Sequence, residues 1–377
     1  MYESGLPLNS SGFTDIKQSL RKLDFPICVK ESLRTIEKLC LSINGLGRAQ
    51  SIKQTDFAME LIAEFVFCEV DRRGFKRKKL SAIQELMLLE VVCDYLSHPN
   101  INEVWRNSIF MSLFPSSHGD RSRLLVKLVS LSISINNSSV LSATAVLIQQ
   151  VGCTSKFSIQ LAQGLVNDHF ILVPKGNSSL QDLPTIAPLF TANFLTAVAE
   201  IYYGADKSCL VPPPSRLLEV VTLWVADNPS LCITALIINL QPALPLGGIP
   251  MPAVTPYAGL FKWCVLSPLY APIEDYSLYS QLHLALLNSL FENEKSVSGN
   301  NVISTQSLST IVSLIIKTEG DNKTKQQDSI NIFAQAVHMA LHTRCVYGNK
   351  QDMLTQLELL SSNQLMSIVI NEHRASI

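Results

Sequence analysis

Apolar residues recur along this chain at three- and four-residue intervals, in stretches of about 12 to 20 residues, each ended by Pro, Gly or Asn. That spacing places them on one side of a helix, so the pattern predicts helix after helix joined by short turns. One helix starts at Phe25-Pro26, presents Leu33, Ile36, Leu39, Cys40 and Ile43 on one face, and stops at Asn44-Gly45. Thr55 is the expected N-cap of the next, through Met59, Leu61, Ile62, Phe65 and Val66. Ser81 with Gln84 forms a capping-box pattern before Ile83, Leu86, Leu89, Val92, Cys93 and Leu96, and His98-Pro99 closes that helix.

Asn102 is the expected start of a helix ending before Pro115, and Asp120 of another that runs to Ile135. Further helices are predicted over Val140–Gln150, Lys156–Phe170, Pro188–Tyr203, Ser215–Ala226 and Ser230–Leu240, with Asn228-Pro229 and Thr255-Pro256 as cap-plus-proline starts. Strict alternation beyond four residues occurs only in Leu131–Ile135, which also fits a helix end. The fold class expected is therefore all-α, a stack of antiparallel helices of HEAT or armadillo type, since two helices plus turns occupy about 35 to 45 residues. Expected boundaries are a disordered N-terminus over 1–13, a helical-repeat domain over 14–290, and C-terminal helices over 291–377 set off by the polar stretches Ser296–Gln306 and Glu319–Asp328.

Composition sharpens this picture. With 377 residues, 47% hydrophobic and 16% charged, the chain has apolar surface enough for a large core, and disorder over its whole length is excluded. A net charge of -1 removes any global pull toward nucleic acid or anionic lipid, leaving only local patches. The nine cysteines form no CxxC pair and no even framework, which suits buried thiols in a reducing compartment, nucleus or cytosol. Met1 to Ser11 has no apolar core of a signal peptide. Two uncharged stretches, Leu128–Ser155 and Asn228–Phe261, have the length of a membrane span, but Asn136 to Ser139 break the first and six prolines interrupt the second.

The chemistry of catalysis is missing from the pattern. Gly45-Leu46-Gly47 follows a helix and lacks a third glycine, and there is no phosphate-binding GxxxxGK and no GxSxG elbow. His338 and His342 stand one helical turn apart, but without the Glu of a zinc-protease helix and with no third ligand near in sequence. The reading is no catalytic, cofactor or metal residues, with a metal-dependent helical enzyme around these histidines as a rival.

Two features remain for binding. Arg72, Arg73, Lys76, Arg77, Lys78 and Lys79 fall within eight residues between two predicted helices, a loop suited to nuclear import, an acidic partner or phosphates. The plain alternative is a solvated connection that neutralises Glu64, Glu69 and Asp71. Phe75 is the one aromatic among the cations, too little for a single-strand binding platform. The segment Pro242–Pro256 is rich in Pro and Gly yet carries Leu244, Leu246, Ile249 and Met251, so it either buries itself or docks on something. Trp105, Phe110, Phe261 and Tyr270 are candidate aromatic anchors for a partner, each also at home in a core.

A set of ordered helical words resembles the Integrator complex subunit 15 family. They are Glu60-Leu61-Ile62 with Glu64 to Phe67, Leu80-Ser81 with Gln84-Glu85-Leu86 through Tyr95, Leu125 to Val129, Val211-Pro212-Pro213 with Leu217-Leu218-Glu219 and Trp224, Trp263-Cys264-Val265, and Tyr279-Ser280 with Leu282-His283-Leu284. The resemblance runs from about Thr14 to Leu290. The chain departs from the family pattern in its denser basic loop and its short link Ala271 to Ser277. The resemblance implies a nuclear, non-catalytic scaffold of the Integrator complex, active in RNA polymerase II transcript 3′-end processing and attenuation, with Integrator subunits 10, 13 and 14 as partners. No cofactor, no small-molecule substrate and no membrane partner are expected. An RNA-binding adaptor working through Arg72 to Lys79 is the alternative.

Overall fold

The structure is a computed structural model that describes residues 10–41, 52–117, 119–172, 180–203, 210–237, 254–297, 301–317 and 323–374. Among these the protein is all-α apart from one two-residue strand pair. The described residues form two compact units, the first reaching Leu147 and the second starting at Ile148.

The first unit holds α1 (Ser10–Leu20), α2 (Ile27–Leu41), α3 (Ile52–Leu61), α4 (Ala82–Leu96), α5 (Glu103–Leu113), α6 (Gly119–Ser134) and most of α7 (Ser138–Val151). α1 starts ahead of the expected Thr14 boundary. α3 runs directly into a π-helical turn, Ile62–Val66. Thr55 lies inside α3, so it is not the expected N-cap. At α4 the capping box forms as read: Gln84 N donates to Ser81 Oγ at 3.3 Å and Ser81 N to Gln84 Oε1 at 3.0 Å. Asn102 caps α5 by accepting from Val104 N at 2.9 Å. Asn136 closes α6 in the left-handed conformation (φ 56°), and Asn137 then accepts from Val140 N at 3.2 Å, so the two asparagines end one helix and start the next. α2 lies against α4, and α4 against α6. Leu33, Leu61, Leu88, Leu96 and Leu128 are completely buried in this unit.

The second unit follows with α8 (Lys156–Val166) and its π-helical extension Asn167–Ile171, α9 (Leu183–Ile186), α10 (Pro188–Ile201) and α11 (Ser215–Asp227). After the 3-10 turn Pro229–Ile233 come α12 (Thr234–Ile237), α13 (Pro256–Tyr270), α14 (Tyr276–Glu292), α15 (Glu294–Val297), β1 (Ile303–Ser304), α16 (Thr305–Lys317) and α17 (Lys323–His342). β2 (Val346–Tyr347), α18 (Lys350–Leu357) and α19 (Gln364–Arg374) complete it. β1 pairs in parallel with β2, Ile303 opposite Val346, a strand too short for any alternation to announce it.

α10 is buried from Leu189 through Ala199 with no exposed side, its polar Thr191, Asn193 and Thr196 included, which makes it the central rod of this unit. α13 crosses it closely: a Cβ on Gly259 would stand 2.3 Å from the Ala199 Cβ, so only glycine lets the two backbones approach. Trp263 is wholly buried at this crossing, and its indole N–H donates to the carbonyls of Ala199 (3.3 Å) and Tyr202 (3.2 Å). Thr255 caps nothing; its hydroxyl donates to Val302 O at 3.0 Å instead. Likewise Asn228 makes no side-chain cap, and a 3-10 turn rather than an α-helix begins at Pro229. α17 packs on α13, with Ser329 Oγ donating to Val265 O at 2.6 Å, and α19 packs on α17.

Cys28, Cys68, Cys93, Cys153, Cys232, Cys264 and Cys345 are free thiols. Burial pushes Cys153 up to about 11 and Cys232 up to about 12, which keeps both protonated. Among the described residues no helix is long and apolar enough to cross a membrane.

Candidate functional site

The basic segment is a small, pinned hairpin rather than an irregular loop. Val70 and Lys76 form an antiparallel bridge, Asp71 N donates to Phe75 O at 2.8 Å, and Arg77 N donates to Glu69 O at 2.7 Å. Gly74, at φ 80°, supplies the left-handed residue that the turn requires. Asp71 Oδ1 accepts from the backbone of Arg73 (2.8 Å) and Phe75 (2.9 Å), and these two hydrogen bonds hold its carboxyl below the usual carboxylate range. The acid is thus part of the turn itself.

Arg72, Arg73, Lys76, Arg77, Lys78 and Lys79 are all exposed, and Phe75 at the tip is 67% exposed. Of the three acids expected to neutralise them, Asp71 does feel the hairpin's own Arg77 and Arg72, whereas Glu64 and Glu69 are engaged by cations from elsewhere. Glu64 accepts from Arg21 at 2.8 and 3.2 Å, and Glu69 is held by both arms of Arg121, at 2.8 and 2.7 Å. Arg121 is only 3% exposed, also donates to Leu113 O, and lies 4.5 Å above the Phe67 ring. Glu85 is paired with Arg123 and Lys127 of α6. These pairs fix the base of the hairpin, whose six cations are exposed, with Arg77 also hydrogen-bonded to the Cys68 thiol.

On one side of the hairpin opens a cleft of about 780 Å³, lined by five cations (Arg21, Arg72, Arg77, Lys78 and Lys79) against three carboxylates (Asp24, Glu64 and Asp71), together with Cys28 and Cys68. Burial raises both thiols above their ordinary value, so they offer neutral S–H groups and not thiolates. Nothing in this cleft pairs a nucleophile with a base. Its chemistry suits a partner rich in carboxylates or phosphates.

Sequence reasoning misses an adjoining apolar stripe. The helical spacing puts Ile83 and Leu86 on the inward face of α4, yet they are 72% and 62% exposed, with Met87 beside them, while Glu85, Leu88, Leu89 and Val92 turn inward. The correction has a physical origin: Leu86 to Leu89 are all apolar, so the run belongs to two faces, and the ion pairs of Glu85 with α6 rotate the other face out. The available signal was that run of four. Ile83, Leu86 and Met87 follow the hairpin directly in the chain, so cations and apolar side chains lie on neighbouring elements.

The other candidates fall differently. Leu244, Leu246, Ile249 and Met251 lie outside the described residues. Phe261 is 1% exposed, stacked at 6.0 Å on Tyr257 and 5.8 Å on Phe333, so it is core and not an anchor; Phe110 is buried too. Trp105 and Tyr270 are half-buried. His338 and His342 stand 6.1 Å apart between ring centroids on α17, and α19 brings a third imidazole, His373, to 5.4 Å from His338. No third imidazole lies near in sequence; His373 is 35 residues further along the chain and is brought in by packing.

Fold and surface together define an all-α protein built of helical units, one of which displays a pinned basic hairpin beside an exposed apolar stripe. The chain belongs to the Integrator complex subunit 15 family, whose model matches residues 14–362. It is 36% identical over 375 residues to Integrator complex subunit 15 of Drosophila melanogaster, covering 94% of this chain and 95% of that one. The proteins of the same name from Danio rerio (29% over 394 residues; 95% and 81% covered) and Homo sapiens (28% over 400 residues; 95% and 87% covered) are similar along nearly the same span.

Proposed function

We propose that this protein is a nuclear, non-catalytic scaffold subunit of the Integrator complex, linking Integrator modules in the 3′-end processing of small nuclear RNA and in attenuation of RNA polymerase II transcription. The observation that carries the reading is the family match over residues 14–362. Its partners are the module of Integrator subunits 10, 13 and 14. Contacts of α2 with α4, α4 with α6, α16 with α18 and α17 with α19 link helices two apart and support a HEAT- or armadillo-like stack there, while α10 with α13, α11 with α14 and α13 with α17 link more distant helices in the second unit. The face that docks is the hairpin with Ile83, Leu86 and Met87, and the segment it takes is acidic with apolar anchors. Affinity purification of the tagged full chain from nuclei tests this: recovery with subunits 10, 13 and 14 is expected, and recovery without any Integrator subunit overturns it.

A second reading, an RNA-binding adaptor, is favoured by the exposed cations around an exposed Phe75. Replacing the six cations with Gln then abolishes RNA crosslinking and flattens its salt dependence; unchanged crosslinking removes this reading.

A further inference from the structure

Three ligand atoms from two helices converge at the end of the second unit. On α19 the buried residues Met366, Val369 and Ile370 form the inward stripe, and His373 continues it one turn on, half-buried. On α17 Ala334 is buried and His338 follows it by one turn. Packing of α19 on α17 therefore forces the two imidazoles together: His373 Nε2 lies 3.3 Å from His338 Nδ1. The same Nδ1 lies 3.5 Å from Glu372 Oε2, and all three ligand atoms fall within 4.8 Å of one another.

His338 Nδ1 thus faces both other groups, and which of the two imidazole nitrogens carries a proton depends on the tautomer. A cation among the three atoms accepts a lone pair from each. The spacing also fits. Ligands bound at about 2.0–2.1 Å in a tetrahedron stand about 3.3–3.4 Å apart, close to the two edges that meet at His338 Nδ1, the third being within 4.8 Å. Two imidazoles and one carboxylate suit Zn²⁺ or a neighbouring late first-row ion and not Ca²⁺ or Mg²⁺, which take oxygen ligands. Lys350 acts electrostatically on His373 and opposes a cation there; the Glu372 carboxylate offsets it.

We propose that His338, Glu372 and His373 form a divalent-metal site of Zn²⁺ type that ties α19 to α17. With three protein ligands, the fourth position is left for water or a partner's side chain. His342 is exposed, is not among the converging ligands, and serves as the control.

The test is titration of the full, chelator-treated chain with ZnCl₂, with bound metal counted by atomic emission and Co²⁺ as a spectroscopic substitute. Wild type is expected to take up one Zn²⁺ with a rise in unfolding temperature, and Co²⁺ to give a tetrahedral spectrum without thiolate bands. His338→Ala, His373→Ala and the exposed-site change Glu372→Gln each lower affinity by about tenfold or more, whereas His342→Ala does not. Far-ultraviolet circular dichroism confirms that each variant is folded, and Glu372→Gln keeps the test decisive if a histidine variant is not. Absence of stoichiometric uptake, uptake indifferent to Glu372→Gln and His373→Ala, or thiolate bands with Co²⁺ would each overturn the proposal.

Discussion

In the first unit helices are joined by charge: Arg21 to Glu64, Arg121 to Glu69, Arg123 and Lys127 to Glu85, each pair with one nearly buried member. In the second, the buried links are rings and hydroxyls reaching backbone carbonyls, as Trp263 does to Ala199 and Tyr202, Trp224 to Leu180 and Ser329 to Val265. Both solutions satisfy polar groups inside an all-α core, but they fail differently. A neutral donor aimed at a carbonyl costs little to bury and depends on close fit, whereas a buried ion pair leaves an uncompensated charge when one partner goes. The second unit should therefore be sensitive to volume, and the first to charge.

The largest effect is expected at the α10–α13 crossing. Trp263→Ala should cost about 3–5 kcal/mol in chemical denaturation, through lost burial and two stranded carbonyls. At the same crossing Gly259→Ala should cost about 2–3 kcal/mol from the clash with Ala199, and adding Ala199→Gly should return part of it. A double-mutant cycle with no coupling would break the volume half of the comparison.

In the first unit, Glu69→Gln should cost about 2 kcal/mol, less than a fully buried pair because Glu69 is 31% exposed. Arg121→Met should cost less than Glu69→Gln, since it removes the buried charge instead of stranding it. The reverse order would break the charge half.

A smaller, pH-dependent effect belongs to His283 in the second unit. Burial holds its pKa below the ordinary 6.5, against a hydrogen bond with Gln335 that raises it, and its Nδ1 has no partner. The unfolded chain then binds more protons than the folded one between the lowered value and 6.5. The stability contribution is complete above pH 6.5 and is lost as pH falls toward the folded value. Urea midpoints measured across that window should decline with acid in the wild type and decline less in His283→Gln. Least of all, Gln at the six hairpin positions should leave the thermal midpoint unchanged while reducing nuclear accumulation of a fluorescent fusion. A large loss of stability there would mean that the cations hold the fold and do not serve a partner.

Where the first unit is concerned, much was legible because its signals are local. The Ser81–Gln84 box, the Asn102 cap and the Asn136-Asn137 break each involve atoms within a few residues, so residue type and spacing suffice. Thr55 misled for the same reason: a residue type that caps well also occurs inside helices, and α3 begins three residues earlier, at Ile52. The π-helical turns after α3 and α8 left no mark in the apolar spacing. Of the candidate surface, the cations were plain in the sequence, but Ile83 and Leu86 were turned outward by a tertiary ion-pair network that no helical period encodes.

By itself the sequence determined the all-α class, most helix limits, the basic segment and membership by resemblance, because periodicity, caps and ordered motifs are properties of short stretches. Only the tertiary structure decided that Phe261 is core, that Thr255 bonds Val302 rather than capping α13, and that His373 meets His338. Those outcomes depend on which distant helices pack together, and contacts across tens of residues are selected by the summed burial of whole faces, not by any local pattern.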